Sequence, residues 1–498
     1  MTTTCDKCGH RTTVLHGHST ADQRTALAQI DAEILRFRTY AEGHVAALEE
    51  QRRAISARLE TVVYPVLTLP NEITSRIFTE CLPHHGRVRP SPHSPPLLLT
   101  QICRHWRNIA LSIGELWTSF DTATDMLGPG RGDLLRWWLS LTKGYPLSWT
   151  FHAMGMTVMG NVGASASHIT HIIQPTTYLP KLRCLEVNAS EKRFRDLVPL
   201  RTPLPLLRCL AATLGSKDLR DILQCAPDLR HLTTRSLSPD RYLASKSLVS
   251  LELTGYVNYP ADVFLAILNN YPLLSHLKCG GRVTHARGAT VTPATFPSLR
   301  SLQFSGLGVL EFLTLPNLTH LEFSQPLRLD IIQPFLSRSG CFIKHLFCAI
   351  RSEWGAFKTS LEIFPWVETL EIVLYDEGRT HLFGLALHCL DLSVMSLVPL
   401  LRKVVVIDAP LYFDFSRIVD VLKRRRELRS FHLIVNVQGL HRNHVQYWRL
   451  GCTAAADLAR LRSCGVDFSI RGRTDHREFG IWPPSPEGMG FPSYSWIC

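Results

Sequence analysis

Residues 299–304 read LRSLQF, and residues 318–323 read LTHLEF with the same spacing of apolar side chains. From about residue 175 onward, this pattern of apolar-x-x-Leu-x-apolar returns roughly every 25 residues. Prolines precede most copies, and helical pieces such as 218–225 and 261–269 lie between copies. Proline ends a helix or turn, and alternating apolar residues are typical of a strand with one buried face. The sequence pattern therefore predicts that each repeated unit contains a helix, a turn and a short strand.

A unit repeated at this period resembles a leucine-rich repeat, although the asparagine or cysteine ladder of that family is irregular here. The resemblance implies an α/β fold, a leucine-rich-repeat-like solenoid over residues 176–470. Residues 133–151 read as an irregular first repeat within a linker at 121–175. We call the second apolar residue of each copy its central residue. The central residues are Leu185, Leu210, Leu232, Leu251, Leu277, Leu302, Leu321, Leu346, Leu370, Val404 and Phe431.

Residues 67–117 carry a different pattern. A Leu-Pro-Asn-Glu-Ile opening at 69–73 is followed by Ile-Phe at 77–78, then by Ile-Cys-Arg-His-Trp-Arg-Asn-Ile-Ala at 102–110 and a closing Leu-Trp. This combination resembles an F-box, from which it departs by a proline-rich insert that we expect to form a surface loop. The resemblance implies an all-α module at 65–120 that binds the small Skp-type adaptor of cullin-RING ubiquitin ligases. The expected adaptor-binding residues are Leu69, Pro70, Ile73, Ile77, Phe78, Leu82, Leu99, Ile102, Cys103, Trp106, Ile109, Leu116 and Trp117.

Two interpretations of Trp106 stay open: it is either an interface anchor or part of the module's own core. Trp106 lies in a predicted second helix over residues 97–110. About fifty residues with so many apolar side chains cannot bury all of them alone. An apolar face left on a small module indicates a partner surface.

Residues 21–63 contain no proline and a single glycine, and they are rich in good helix formers. We therefore predict one long helix preceding the other domains, within residues 21–64. Apolar residues recur every seven positions from Leu27 to Val62, while a second seam becomes polar after Phe37. The first seam must be buried somewhere. Self-association as a coiled coil and docking on the chain's own next domain are both open.

The chain has 498 residues, with 54 Lys and Arg against 42 Asp and Glu, which gives a net charge of +12. Most cations are scattered, and the dense run at 423–426 reads KRRR. We interpret this run as a solvated helix end, with a nuclear-import or nucleic-acid patch as the alternative. Nucleic acid is therefore not the expected partner.

The fourteen cysteines form no paired framework, which predicts reduced thiols. Cys5 and Cys8 are followed by His10, His16 and His18, and two thiols with two imidazoles are able to hold zinc. The spacing matches no common zinc finger, so residues 1–20 are expected to be a flexible tail, and no metal site is assigned.

Several classes of protein are excluded by what the sequence lacks. It has no G-x-S-x-G, no phosphate-binding G-x-x-x-x-G-K-[ST] and no H-E-x-x-H. No apolar stretch approaches the roughly 18 residues of a spanning helix, and the first twenty residues are polar. We expect a non-enzymatic protein of the cytoplasm or nucleus, without a cofactor or a membrane, whose residues 471–498 form a loose tail rich in Pro, Gly and aromatic residues.

The residues beside the central residues are expected to point out of the strands and to form a recognition surface. Four of them are glutamates, and we expect the histidines beside them to hold protons to a higher pH than usual. A metal site at His320 and His345, on neighbouring strands about 5 Å apart, is a lesser alternative. The predicted substrate-binding residues are His231, Glu252, His276, Glu322, His345 and Glu371.

Together these features predict a substrate receptor of a ubiquitin ligase, in which the module binds the adaptor and the repeats bind an unknown protein substrate. The rival interpretation is a scaffold that uses the module outside any ligase, or a hydrolase on an unrecognised fold. Copurification with a Skp-type adaptor separates these classes.

Overall fold

The structure is a computed structural model of the chain, and it divides into two units, residues 1–74 and 75–498. It describes residues 2–4, 7, 11–13, 20–61, 68–83, 88–123, 131–152, 175–190, 192, 194–195, 198–199, 201–214, 216–237, 245–284, 292–350, 358–359, 361–374, 383, 386–387, 397–409, 415–425, 427–436, 460, 465–473 and 478–482.

The first unit contains the predicted long helix, α1, which covers Thr20–Thr61. Every side chain described along α1, from residue 20 to residue 58, is exposed. A short antiparallel hairpin, β1 (Thr2–Thr4) with β2 (Arg11–Thr13), precedes it. Cys5, Cys8, His10, His16 and His18 lie outside the described residues, so the zinc alternative stays a prediction.

Helices α2 to α10 are short, and no helix that the structure describes is both long enough and apolar enough to cross a membrane. The last four, α7 to α10, begin and end within 2 residues of the helical pieces that the sequence predicts between copies of the pattern. The helices are α2 (Asn71–Glu80), α3 (Leu99–Ile102), α4 (Arg104–Ser112), α5 (Arg131–Ser140), α6 (Pro175–Tyr178), α7 (Ser216–Cys225), α8 (Ala261–Asn269), α9 (Leu329–Ser339) and α10 (Phe415–Arg424).

The helix predicted over 97–110 is two helices, because the backbone is extended at Cys103, with φ −154° and ψ 169°. The Cys103 thiol accepts a hydrogen bond from the Trp106 backbone N–H at 3.4 Å, which makes Cys103 the N-cap of α4. The continuous apolar pattern concealed this break, since a cysteine inside an apolar run does not signal a cap.

Among the described residues, fifteen strands form one open sheet in which each strand lies between its predecessor and its successor in that sheet along the chain. All neighbouring pairs are parallel except the last. The strands are β3 (Ser119–Ala123), β4 (Leu147–His152), β5 (Leu182–Asn188), β6 (Cys209–Ala212), β7 (His231–Thr234), β8 (Ser250–Leu253), β10 (His276–Cys279), β13 (Ser301–Phe304), β15 (His320–Pro326), β16 (His345–Ile350), β17 (Thr369–Leu374), β18 (Lys403–Ile407), β19 (Ser430–Asn436), β20 (Asp467–Arg473) and β21 (Glu478–Trp482).

Two small parallel pairs lie in the connections between these strands. β9 (Asn258–Pro260) pairs with β11 (Arg282–Thr284), and β12 (Ala294–Thr295) pairs with β14 (Leu313–Thr314). The α/β class and the long N-terminal helix are thereby confirmed, and the large sheet is mostly parallel. The loose tail expected from residue 471 begins differently, since β20 continues to Arg473 and pairs antiparallel with β21; residues 483–498 lie outside the described residues.

The register of the sheet follows the sequence pattern. Leu302 pairs with Leu277 on one side and with Leu321 on the other, and all eleven central residues are aligned in this way. Each central residue is at most 2% exposed. Helices α7 to α10 contribute buried side chains to the same core, among them Ile222, Phe264, Phe335 and Ile418. Each buried leucine contributes about 2 kcal/mol, so the aligned row is a large part of what holds the strands in register.

Candidate functional site

The side chains directly before and after the central residues form what we call the exposed face of the sheet. In β10, His276 and Lys278 are exposed while Leu277 and Cys279 between and after them are buried. The same alternation places all six predicted substrate-binding residues on this face, either exposed or half-buried. The exposed face includes Cys184, Glu186, Cys209, His231, Glu252, His276, Lys278, His320, Glu322, His345, Phe347, Glu371 and Lys403.

The imidazoles of His320 and His345 stack on one another. Their ring centroids are 4.0 Å apart and their planes differ by 7°, because the two residues are register partners on β15 and β16. Nδ1 of His320 shares a hydrogen bond of 2.8 Å with the Thr319 hydroxyl. The stack borders a recess of about 160 Å³ that Glu322 and Glu371 also line.

The prediction that the histidines keep their protons to a higher pH is wrong for His231, His320 and His345. Burial lowers the pKa of each below the usual value of 6.5. The positive charge of a neighbouring imidazolium lowers the pKa of His231 and His320 further. Glu368 and Glu371 do raise the pKa of His345, but burial outweighs them. Desolvation disfavours the charged imidazole, and these glutamates are too solvated to compensate.

Two glutamates of the exposed face have side-chain partners. Glu252 Oε1 accepts a salt bridge from Lys278 Nζ at 2.7 Å, and Glu322 Oε1 accepts a hydrogen bond from the Gln303 amide at 2.6 Å. Burial raises the pKa of Glu322. Lys278 therefore offsets part of the negative charge that the glutamates bring to this face.

A row of cations borders the exposed face and was missed by the sequence reasoning. The residue two positions before the central residue is cationic and exposed in seven copies, and backbone hydrogen bonds such as Arg208 N–H to Arg183 O join successive members. The side chains of Arg183, Arg208 and Arg230 make no hydrogen bond or ion pair to a residue that the structure describes. Aligning the copies by their central residues would have revealed it. We call this set the cation row: Arg183, Arg208, Arg230, Arg300, Lys344, Arg402 and Arg429.

Two thiols meet on the exposed face beside this row. Cys184 and Cys209 are register partners on β5 and β6, both are free and half-buried, and their side chains share a hydrogen bond. They line a recess of about 400 Å³ together with Ser148 and His231. The hydrogen bond from Cys209, assisted by a hydrogen bond from Ser148 and the charge of Arg183, lowers the pKa of Cys184 to about 6, although burial opposes it. The same bond raises the pKa of Cys209.

The thirteen residues expected to bind the adaptor divide by exposure. Ile73, Ile77 and Ile102 are 49%, 39% and 54% exposed, and Pro70 is also exposed. Five others belong to the core: Phe78, Leu99, Ile109, Leu116 and Trp117. Four are half-buried: Leu69, Leu82, Cys103 and Trp106.

The five buried members are inaccessible to a partner in this conformation, which contradicts the expectation that they contact an adaptor directly. The Trp117 indole N–H donates to Ala110 O at 3.0 Å, and the Trp138 indole N–H donates to Trp117 O at 2.8 Å. Trp106 packs edge-on against Phe78, with ring centroids 4.9 Å apart. Trp106 therefore belongs mainly to the core of this segment.

The dense cationic run also differs from its interpretation as a solvated helix end. Lys423 and Arg424 are exposed at the end of α10, but Arg425 is only 2% exposed. Its guanidinium donates to Val398 O at 2.9 Å and to Leu397 O at 2.6 Å. The four cations of the run look alike in the sequence, and only the packing shows that Arg425 is internal; Arg426 lies outside the described residues.

A serine, a histidine and an aspartate approach one another at the end of the sheet. The Ser469 hydroxyl lies 2.7 Å from His432 Nδ1, whereas Asp467 Oδ2 lies 3.7 Å from His432 Nε2. The second distance is too long for a hydrogen bond, so the aspartate does not orient the imidazole as a nucleophile–base–acid arrangement requires. This cluster gives no support to hydrolytic chemistry.

Within the described ranges, no group of three or more His, Cys, Asp or Glu side chains is placed to hold a metal ion. A scan against models of protein families finds no family that matches this chain, and a search of curated proteins finds no significant match.

Proposed function

We propose that the protein is a non-enzymatic substrate receptor of a cullin-RING ubiquitin ligase, acting in the cytoplasm or nucleus. In this proposal, residues 65–120 form an F-box that binds a Skp-type adaptor, and the sheet is a leucine-rich-repeat-like solenoid that binds a protein substrate. The observation that carries the proposal is the series of motif residues from Leu69 to Trp117 at matching spacings.

Exposed apolar side chains within that motif support the adaptor role. Ile77 on α2 and Ile102 on α3 are more than a third exposed, and Leu98, next to α3, is 38% exposed. Large apolar side chains left exposed within one small module are typical of a surface that a partner covers. Phe78 and Trp117, which are buried, would hold this surface in shape.

The proposal is tested by adaptor binding with the full chain. The double variant Ile77→Asp, Ile102→Asp should weaken binding of a purified Skp-type adaptor at least 100-fold, since central apolar anchors each contribute about 2 kcal/mol or more. Leu273→Asp is the matched control, because Leu273 is 54% exposed and lies outside the motif. Circular dichroism must show that both variants fold. Unchanged adaptor binding by the folded double variant would refute the proposal.

The alternative is a scaffold that uses the same motif outside a ligase. Reconstitution with adaptor, cullin and RING subunits distinguishes the two, since a receptor supports ubiquitin transfer to a bound partner or to itself. Adaptor binding without any ubiquitin transfer would favour the scaffold.

A further inference from the structure

Cys184 and Cys209 are both accessible and lie next to each other on the sheet. Both thiols lie on the exposed face, both line the recess of about 400 Å³, and each is the register partner of the other. The recess makes them accessible to a small molecule. By contrast, Cys279 and Cys348 are buried in the core, where burial raises the pKa of each thiol to about 11 and about 12.

Strand pairing sets the distance between the two residues. Neighbouring strands lie about 4.8 Å apart, which falls inside the range of roughly 4.4–6.8 Å that separates the Cα atoms of disulfide-bonded cysteines. Both side chains also line the same recess, on the same face of the sheet. Formation of an S–S bond therefore requires local adjustment of two side chains and no rearrangement of the sheet.

The surroundings favour a thiolate at one of the two positions. Arg183 and Arg208 of the cation row directly precede the two cysteines, and the Ser148 hydroxyl bonds to Cys184. A thiolate stabilised by hydrogen bonds and nearby guanidinium groups is the reactive form of cysteine. Its partner thiol keeps its proton and is placed to attack next.

We propose that Cys184 and Cys209 form a site that reacts with hydroperoxides and closes to a disulfide. The Cys184 thiolate attacks one oxygen of hydrogen peroxide, the O–O bond breaks, and hydroxide leaves as Cys184 becomes a sulfenic acid. The Cys209 sulfur then attacks the Cys184 sulfur, the S–O bond breaks, and water leaves with the Cys209 proton. The two thiols are oxidised by two electrons and the peroxide is reduced to water. This inference does not depend on the proposed ligase role.

Trypsin provides a direct readout on the full chain, because it cuts after Arg183 and Arg208. The resulting peptides, 184–192 and 209–217, each contain a single cysteine, and so does 221–230 with Cys225. After brief treatment with hydrogen peroxide at pH 7 and alkylation of free thiols, the first two peptides should appear as one disulfide-linked species. Dithiothreitol should separate them.

Variants assign the order of the steps. Cys209→Ser should leave Cys184 as a sulfenic acid that dimedone traps, whereas Cys184→Ser should abolish fast modification of Cys209. Cys225→Ser is the control and should leave the yield of linked peptide unchanged, since burial raises the pKa of Cys225. In the unmodified chain, iodoacetamide should alkylate Cys184 about tenfold faster than Cys225 at pH 7, a comparison that does not depend on the folding of any variant.

Two results would overturn the inference. The first is the absence of the 184–192 and 209–217 linkage while Cys184 is oxidised alone or joined to another cysteine. The second is alkylation of Cys184 no faster than that of Cys225.

Discussion

Arg425 is a charged side chain that the fold uses internally. It crosses from the end of α10 to the backbone carbonyl groups of Leu397 and Val398, which precede β18. A guanidinium has donors enough to satisfy two carbonyl groups at once, which an ammonium group on a flexible stem does less well. The buried arginine thus joins two successive connections of the sheet.

Arg425→Met should lower the free energy of unfolding by about 3 kcal/mol, since it leaves two buried carbonyl groups without their charged donor. Arg424→Met, next to it and exposed, should change stability by less than about 0.5 kcal/mol. Urea denaturation of the full chain followed by circular dichroism measures both. Equal effects of the two variants would show that Arg425 is solvated.

The stacked pair His320 and His345 should make stability depend on pH. Burial lowers the folded-state pKa of each below the usual 6.5. Above pH 6.5 the rings are neutral in both states and the contribution is fully present. As the pH falls below 6.5, the unfolded chain binds protons first, so stability is lost until the pH passes the lowered folded-state pKa.

The double variant His320→Gln, His345→Gln should therefore lose less melting temperature between pH 7.5 and pH 5 than the unmodified chain does. His93→Gln, at an exposed position, is the control and should follow the unmodified chain. Thermal unfolding at a series of pH values measures the difference. Identical pH dependence in all three proteins would exclude the pair as a source of it.

At the scale of elements, α1 is a helix of 42 residues, and the apolar side chains described along its first seam are exposed. Leu27, Ile34, Leu48 and Ile55 recur at multiples of seven positions, and each is more than 40% exposed. A seam of this length has the geometry of a coiled coil, and a second copy of the same helix offers a matching seam.

We predict that the full chain self-associates through α1. Replacing Leu27, Ile34, Leu48 and Ile55 by glutamine, which preserves helix propensity, should give a monomer in sedimentation equilibrium. Arg36→Gln with Arg53→Gln, away from the seam, should leave association intact. Ala47→Pro should also disrupt it, at a cost of about 3 kcal/mol to the helix. A monomeric unmodified chain would refute this prediction.

At the scale of the whole molecule, each strand of the repeats contributes one side chain before and one side chain after its central residue to the exposed face. The cation row runs along one border, and histidines that precede the central residues and glutamates that follow them lie beside it. A protein partner that crosses several strands would meet charges of both signs. Reversing the negative charges and the positive charges in separate variants therefore tests the proposed substrate role.

Charge reversal of Glu252, Glu322 and Glu371 to lysine should reduce capture of native partners at least tenfold while adaptor binding is unchanged. Reversal of Arg183, Arg208 and Arg230 to glutamate is the matched variant of opposite sign, and Glu362→Lys, in a connection, is the control. Quantitative affinity purification compares all three with the unmodified chain. If only the arginine variant loses partners, the partner is acidic and the assignment of the glutamates is wrong.

The sequence by itself determined the class, the long helix and the register of the strands. Register was predictable because the pattern fixes which side chain faces the core, and a slip of one residue would expose every central residue, Leu277 or Leu302 for example. It also predicted that His320 and His345 would be neighbours, since strands of consecutive copies pair in order.

Only the tertiary structure decided which residues expected at the surface are buried, and how neighbouring groups shift one another's pKa. Arg425 and Phe78 are buried because of chain segments remote in sequence, and no local pattern encodes such partners. The histidine pKa values fall because burial outweighs the nearby glutamates, a balance set by solvent exposure. Cys184 and Cys209 are 25 positions apart in the chain, and pairing of β5 with β6 makes them a site.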